Sequence, residues 1–137
     1  MSYEDFEVES EEIRKENGEL LSGFTVWLTE SGLKEKTIRK HVQNVDFYID
    51  DYLLYDDCTR AKDGVSSLSG FFNWFFPRKA MWSSKASTKE TTASLKKFYK
   101  FLAEKGIIEA ADYQFLLLMV KEEMPEWLEH YSNECYW

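Results

Sequence analysis

The feature that most restricts the fold is a stripe of apolar residues, Ile38, Val42, Val45, Ile49 and Tyr52, separated by alternating steps of four and three. That spacing places all five on one side of a 3.6-residue turn, and a strand would need alternation at every second residue. It predicts a helix from about Lys34 to Leu54. Punctuation is correspondingly sparse, with six Gly and two Pro in 137 residues. Sandwiches and barrels need many tight turns, which draw on Gly, Pro and Asn-Gly, so the chain reads as a few long helices.

Four further helical segments follow from the same periodicity. Ile13, Leu20, Leu21, Phe24, Trp27 and Leu28 predict a helix from about Ser10, closed at Gly32 by a left-handed residue. The acidic residues 1–9 read as a flexible arm. After a loop over Thr59–Gly64, a short third helix is expected over Ser67–Phe76, stopped by Pro77. Arg78 to Ser84 then reads as a connection. Ser87-Thr88-Lys89-Glu90 has the pattern of a reciprocal cap, so the fourth helix is expected from Ser87, with Ala93, Leu95, Phe98, Tyr99 and Leu102 inward and Gly106 at its end. Ile107 and Ile108 are expected to enter the core. A fifth helix is expected over 111–121, with Tyr113, Leu116, Leu117 and Val120 inward, broken or restarted at Pro125. The expected organisation is one helical domain over 10–131, with 132–137 as a tail. Ten Phe, eight Tyr and five Trp supply a core without covalent staples.

Two cysteines, Cys58 and Cys135, form no CxxC pair, and both read as free thiols. The first residues are acidic, unlike a signal peptide, and the apolar stretch Phe71 to Phe76 is too short to span a bilayer. The expected compartment is the cytoplasm, with no membrane partner.

The net charge of −8 is unevenly distributed. Residues 1–30 hold nine acids and two bases, and residues 107–137 hold seven acids and one base. Residues 31–45, by contrast, carry four bases and one acid, and residues 65–106 carry eight bases and two acids. The positive charge lies in two groups. Lys34, Lys36, Arg39 and Lys40 open the second helix. Arg78, Lys79 and Lys85 precede the fourth helix, which carries Lys89, Lys96, Lys97 and Lys100. Lys89, Lys96 and Lys100 are separated by seven and four residues and so share one face. Such a stripe suits a surface that tracks phosphates, and it equally suits an ordinary solvated face.

Two stretches carry a family resemblance. One is Phe24-Thr-Val-Trp-Leu28 followed by Gly32-Leu-Lys-Glu-Lys-Thr-Ile38. The other is Ala93-Ser-Leu-Lys-Lys-Phe-Tyr-Lys-Phe-Leu-Ala-Glu-Lys-Gly-Ile-Ile108. Together they resemble the N-terminal SAM-like, core-binding domain of phage integrases and tyrosine recombinases, over roughly residues 20 to 110. The resemblance implies an all-α bundle of about five helices that forms half of a clamp on duplex DNA. It places Thr37, Arg39 and Lys40 in a first DNA-facing segment and Lys89, Lys96, Lys97 and Lys100 in a second. The chain departs from that family in having Lys34 where a capping Ser is usual, and Glu109-Ala-Ala-Asp112 where Asn-Pro is usual. The Arg-His-Arg set and tyrosine nucleophile of recombination cannot be assembled from the residues that follow. Tyr131 and Tyr136 lack the arginines that would stabilise a phosphoryl transition state.

No other pattern points to catalysis. His41 and His130 are the only histidines, and a metal site would need both together with a third ligand. Glu122, Glu123, Glu126 and Glu129 have the spacing of a solvated helix face. There is no phosphate loop, nucleophile elbow or HExxH. Phe71-Phe72-Asn73-Trp74-Phe75-Phe76, with Met81 and Trp82, is the densest apolar stretch, chiefly core. Trp74 points away from Phe71, Phe72 and Phe75 on a helical wheel, so Trp74 and Trp82 are candidate protein contacts. The expected function is that of a non-catalytic DNA-binding or accessory protein of mobile-element origin, with no cofactor or metal. The alternative is an acidic protein-interaction module, a regulator or inhibitor, with no nucleic-acid binding. No oligomeric state follows from the sequence.

Overall fold

The computed structural model describes residues 2–131. The fold is all-α: among the described residues there are five helices and no strand. We label them α1 (Tyr3–Glu30), α2 (Glu35–Asp46, continuing as a π-helical turn over Phe47–Tyr52), α3 (68–79), α4 (Lys85–Glu104) and α5 (Ala110–Glu129). The helix α3 joins Leu68–Gly70, a π turn over Phe71–Phe75, and Phe76–Lys79. The chain divides into two compact units after Gly64.

In unit 1, α1 packs against α2. It begins at Tyr3, more than a turn before the expected start near Ser10, so most of residues 1–9 are helical rather than an arm. The reason is a reciprocal cap at the very start. Ser2 Oγ accepts from the Asp5 N–H at 3.2 Å, and an Asp5 carboxylate oxygen accepts from the Ser2 N–H at 3.4 Å. Gly32 ends the helix region at φ +83°, the left-handed conformation expected of it. Ile13, Phe24, Leu28, Ile38, Val45 and Ile49 are buried, while Leu20, Leu21 and Trp27 are half-buried.

The π turn closing α2 has a visible cause. The Leu53 N–H passes over Ile49 and donates to Tyr48 O, five residues back, at 3.0 Å. Ile49 O accepts instead from Nδ2 of Asn17 on α1, at 3.3 Å, and the same Nδ2 donates to an Asp50 carboxylate oxygen at 2.7 Å. Asn17 is fully buried. The extra residue in the turn shifts the inward face by one position. Tyr52, expected inward, is half-buried, and Leu53 takes its place in the core. Beyond it, a 3-10 turn over Ala61–Asp63 is anchored by the Tyr48 hydroxyl, which donates to Gly64 O at 2.6 Å. Arg60 pairs with Glu16 of α1.

In unit 2, α4 packs against α5. Pro77 does not stop α3. It directly follows the π turn and its capping residue Phe76, whose N–H donates to Phe71 O, so its missing N–H falls where the hydrogen-bond register of the helix changes. Arg78 and Lys79 are therefore helical and not part of a connection. Nor does Pro125 break α5, which runs to Glu129. Pro125 is exposed, and the turn after it is held by Trp127, fully buried and stacked on Phe72 with ring centroids 4.6 Å apart. Among the residues expected inward on α5, Leu116 and Val120 are buried, whereas Tyr113 and Leu117 are only half-buried. Ile108 is buried and Ile107 is not.

The start of α4 is a second correction. The cap is Ser84 with Ser87, not Ser87 with Glu90: Ser84 Oγ accepts from the Ser87 N–H at 3.1 Å, and Ser87 Oγ accepts from the Ser84 N–H at 2.8 Å. The inward face of α4 includes Thr88, Thr91, Thr92 and Ser94 alongside Leu95, Phe98, Tyr99 and Leu102, whereas Ala93 is exposed. Three of those four hydroxyls are satisfied by the helix itself. Thr88 donates to Ser84 O, Thr92 to Thr88 O and Ser94 to Glu90 O, at 2.7 to 3.0 Å.

Candidate nucleic-acid interface

The corrected start of α4 matters for the charged surface, because Lys85 becomes a helical residue. At 100° per residue, Lys85, Lys89, Lys96 and Lys100 fall within an arc of about 60°, and Lys97 lies about 60° beyond its edge. From Lys85 to Lys100 the stripe is about 22 Å long, at 1.5 Å per residue. Lys85, Lys89 and Lys100 are exposed, and Lys96 and Lys97 are half-buried. None of the five takes part in an ion pair among the described residues. Glu90 and Glu104 are the acids on α4 itself.

Just upstream, three apolar side chains stand out into solvent. Met81 is 100% exposed, Trp82 56% and Trp74 43%. The Arg78 guanidinium lies over the Trp74 ring, 6.0 Å from its centroid, and donates to Trp74 O at 3.2 Å. Trp82 sits edge-on to the buried Phe76 at 6.5 Å, and its carbonyl accepts from the Ser87 hydroxyl at 3.2 Å. That bond ties the Met81–Trp82 turn to the first turn of α4. Arg78 and Lys79 precede this turn in the chain, and Lys85 and Lys89 follow it on α4. Of the two expected protein-contact residues, Trp74 carries Arg78 and Trp82 packs on Phe76.

The other basic group lies in unit 1. Lys34 is the residue preceding α2, extended at φ −74° and ψ 151°, and its side chain makes no capping bond. Lys36, Thr37, Arg39 and Lys40 are exposed on the first turns of α2, with Lys36 and Lys40 one turn apart. Arg39 approaches Glu35 at 3.7 Å in an open ion pair. Exposed pairs of this kind contribute about 0–1 kcal/mol, so Arg39 is readily released to another anion.

Charge divides sharply between the units. Residues 65–137 contain nine bases and nine acids, whereas residues 1–64 contain eight bases and sixteen acids. The whole excess of −8 therefore belongs to unit 1. Part of it is concentrated at the π turn. Partial burial, a hydrogen bond with Asp50 and the charges of Asp50 and Asp51 push Asp46 up to about 6. Burial and the Asp50 charge also raise Asp51, opposed by Arg14 of α1.

His130 Nε2 lies 3.1 Å from Asn73 Oδ1, and His41 is half-buried on α2. Among the described residues no group of three or more His, Cys, Asp or Glu side chains is arranged to hold a metal ion. Glu123 of the acidic run accepts from the Ser69 hydroxyl at 2.7 Å, a structural contact that the spacing did not reveal. Cys58 is a free thiol, 3.5 Å from Ser10 Oγ and 3.7 Å from Phe6 O. Tyr131 is buried, and its hydroxyl has no hydrogen-bond partner among the described residues. Cys135, Tyr136 and the tail 132–137 lie outside the described residues. No described helix is long and apolar enough to cross a membrane. Exposed Phe115 and Leu118 on α5 had no signal in the sequence, because their neighbours Leu116, Leu117 and Met119 are equally apolar.

No family model matches the chain, and no curated protein or solved structure matches it.

Proposed function

We propose that this chain is a non-catalytic DNA-binding protein whose contact surface is the lysine face of α4, as its likeness to the recombinase core-binding domain implies. The observation that carries the reading is the alignment of Lys85, Lys89, Lys96 and Lys100 along one solvent face with no ion pair among the described residues. A surface whose only task is solubility gains from interspersed signs of charge. Here five lysines are left to meet an external anion, and the helix presents them over about 22 Å, the length of about six phosphates on one strand. Lys34, Lys36, Thr37, Arg39 and Lys40 of α2 are proposed as a second contact, in keeping with the same likeness. Descent from a mobile element belongs to this reading too.

The test is duplex binding by fluorescence anisotropy, comparing wild type with Lys96→Glu/Lys97→Glu/Lys100→Glu. Loss of binding with unchanged circular dichroism supports the reading. Equal binding by the variant moves the surface elsewhere, and absence of binding by wild type at low salt ends the proposal. A second reading draws on the concentration of the −8 charge in unit 1. An acidic unit of that kind suits a basic protein partner, and it predicts capture by a cationic partner that survives the α4 reversal.

A further inference from the structure

Tyr3, Glu7, Ser10 and Arg14 recur on α1 at steps of four, three and four, so they share one face of the helix, with Phe6 and Glu11 about 70° to either side of its centre. These six residues line a cleft of about 280 Å³ within unit 1. Tyr3 and Phe6 supply aromatic rings, Tyr3 exposed and Phe6 half-buried. Glu7 and Glu11 supply exposed carboxylates, and neither takes part in an ion pair among the described residues. Ser10 is buried, and its Oγ lies 3.5 Å from the Cys58 thiol, which is also 3.7 Å from Phe6 O. The chain at Cys58 therefore stands beside the Phe6 side of this face. We propose that the cleft takes the guanidinium or ammonium group of a basic segment on a partner protein. The inference rests on the second reading above, an acidic unit that meets a basic protein, and names its point of contact.

Charge and shape select that occupant. Two carboxylates against one guanidinium leave the lining negative, and the Arg14 charge already acts on Asp51, whose ionised form it favours. Around the cleft, unit 1 holds sixteen acids and eight bases, a field that draws cations in. The Tyr3 hydroxyl hydrogen-bonds to the Glu7 carboxylate, which sets an acceptor beside an aromatic ring. A guanidinium or ammonium group gains from both neighbours, through charge-assisted hydrogen bonds to the carboxylates and attraction to the negative face of a ring. Phe6 offers an apolar wall to the methylene stem of the same side chain. An anion would be repelled by Glu7 and Glu11, and a purely apolar ligand would strip them of water without replacing it. The volume lies at the lower end of ligand cavities, which suits one extended side chain rather than a bulky cofactor.

The experiment uses the full chain and a rhodamine-labelled peptide of arginines separated by glycines, read by fluorescence anisotropy at low salt. The same peptide with citrulline in place of arginine keeps the shape and removes the charge. Wild type is expected to bind the arginine peptide and not the citrulline one. Glu7→Gln/Glu11→Gln is expected to weaken binding by about tenfold or more, the size of losing charge-assisted hydrogen bonds. Glu12→Gln/Glu19→Gln removes the same charge from exposed positions on the opposite face of α1 and is expected to weaken it by less than about threefold, since only the diffuse field changes. Phe6→Leu is expected to weaken binding by about threefold, typical of an exposed cation–π contact, with its melting temperature checked against wild type. All four glutamates are exposed, so these pairs leave the core intact. If the two glutamine pairs weaken binding equally, or if Glu7→Gln/Glu11→Gln binds like wild type, the cleft is not the contact and the reading of an acidic unit meeting a basic partner stands. If wild type binds the arginine peptide no better than the citrulline one, both fall.

Discussion

Replacing Asn17 by Leu tests the internal logic of unit 1. Asn17 is fully buried, and its Nδ2 serves two acceptors: Ile49 O, left available by the π turn, and the Asp50 carboxylate. Leucine fills a similar volume and donates nothing. The bond to an ionised carboxylate accounts for about 1.5–3 kcal/mol, and a buried carbonyl left unsatisfied costs about 1–3 kcal/mol. Two effects offset part of this. Asn17 Oδ1 is itself buried without a partner among the described residues, so removing it recovers part of a desolvation penalty. The turn can also tighten, letting the Leu53 N–H reach Ile49 O. The expected net loss is about 2 kcal/mol. Urea unfolding followed by far-ultraviolet circular dichroism measures it as a lower midpoint at unchanged slope. Asn17→Asp is expected to be worse, because it sets a carboxylate against Ile49 O and Asp50. A leucine variant within about 0.5 kcal/mol of wild type would refute the claim that this amide holds the turn.

Other outcomes follow from the same structure. Asp46 is raised to about 6 when folded, so the native state holds its proton more tightly than the unfolded chain does. Its contribution favours the fold at low pH and is lost as pH rises from the unfolded value near 4 through 6; Asp46→Asn should therefore raise the melting temperature at pH 7 and make no such difference at pH 4. Trp127→Ala removes the fully buried ring stacked on Phe72 and should cost about 3–5 kcal/mol, read by chemical denaturation. Ser84→Ala should cost about 1 kcal/mol by uncapping α4, whereas Glu90→Ala should cost less than half of that, a contrast that separates the observed cap from the alternative one.

Much of the fold was legible because apolar periodicity reports the buried face directly. The burial of Ile38, Val45 and Ile49, the left-handed Gly32, the helix end at Gly106 and the burial of Phe98, Tyr99 and Leu102 all followed from spacing and turn chemistry, although Val42 is only half-buried. Boundaries were less legible where two local patterns competed. Ser84 and Ser87 are both suitable caps, and the Glu at position 90 favoured the wrong one; only the reciprocal Ser84–Ser87 bonds decide it. Pro77 and Pro125 read as stops because a proline breaks an isolated helix. In the folded chain, the register change after the π turn accommodates Pro77, and the burial of Trp127 carries α5 past Pro125. The π turn at Phe47–Tyr52 depends on Asn17, 32 residues before Ile49 in the chain, and no local pattern encodes that contact. The lysines of the candidate surface were visible individually. Their full alignment depended on where α4 begins.

The most direct test of the central claim is the salt dependence of duplex binding. If the α4 lysines meet phosphates, about four to five of them neutralise backbone charge, and log K should fall against log salt with a slope of about −4. Between 50 and 200 mM salt that is a loss of about 250-fold, and the charge-reversed variant should show a far shallower slope. A flat salt response, or the same slope in wild type and variant, would contradict the assignment of α4 as the DNA-binding surface.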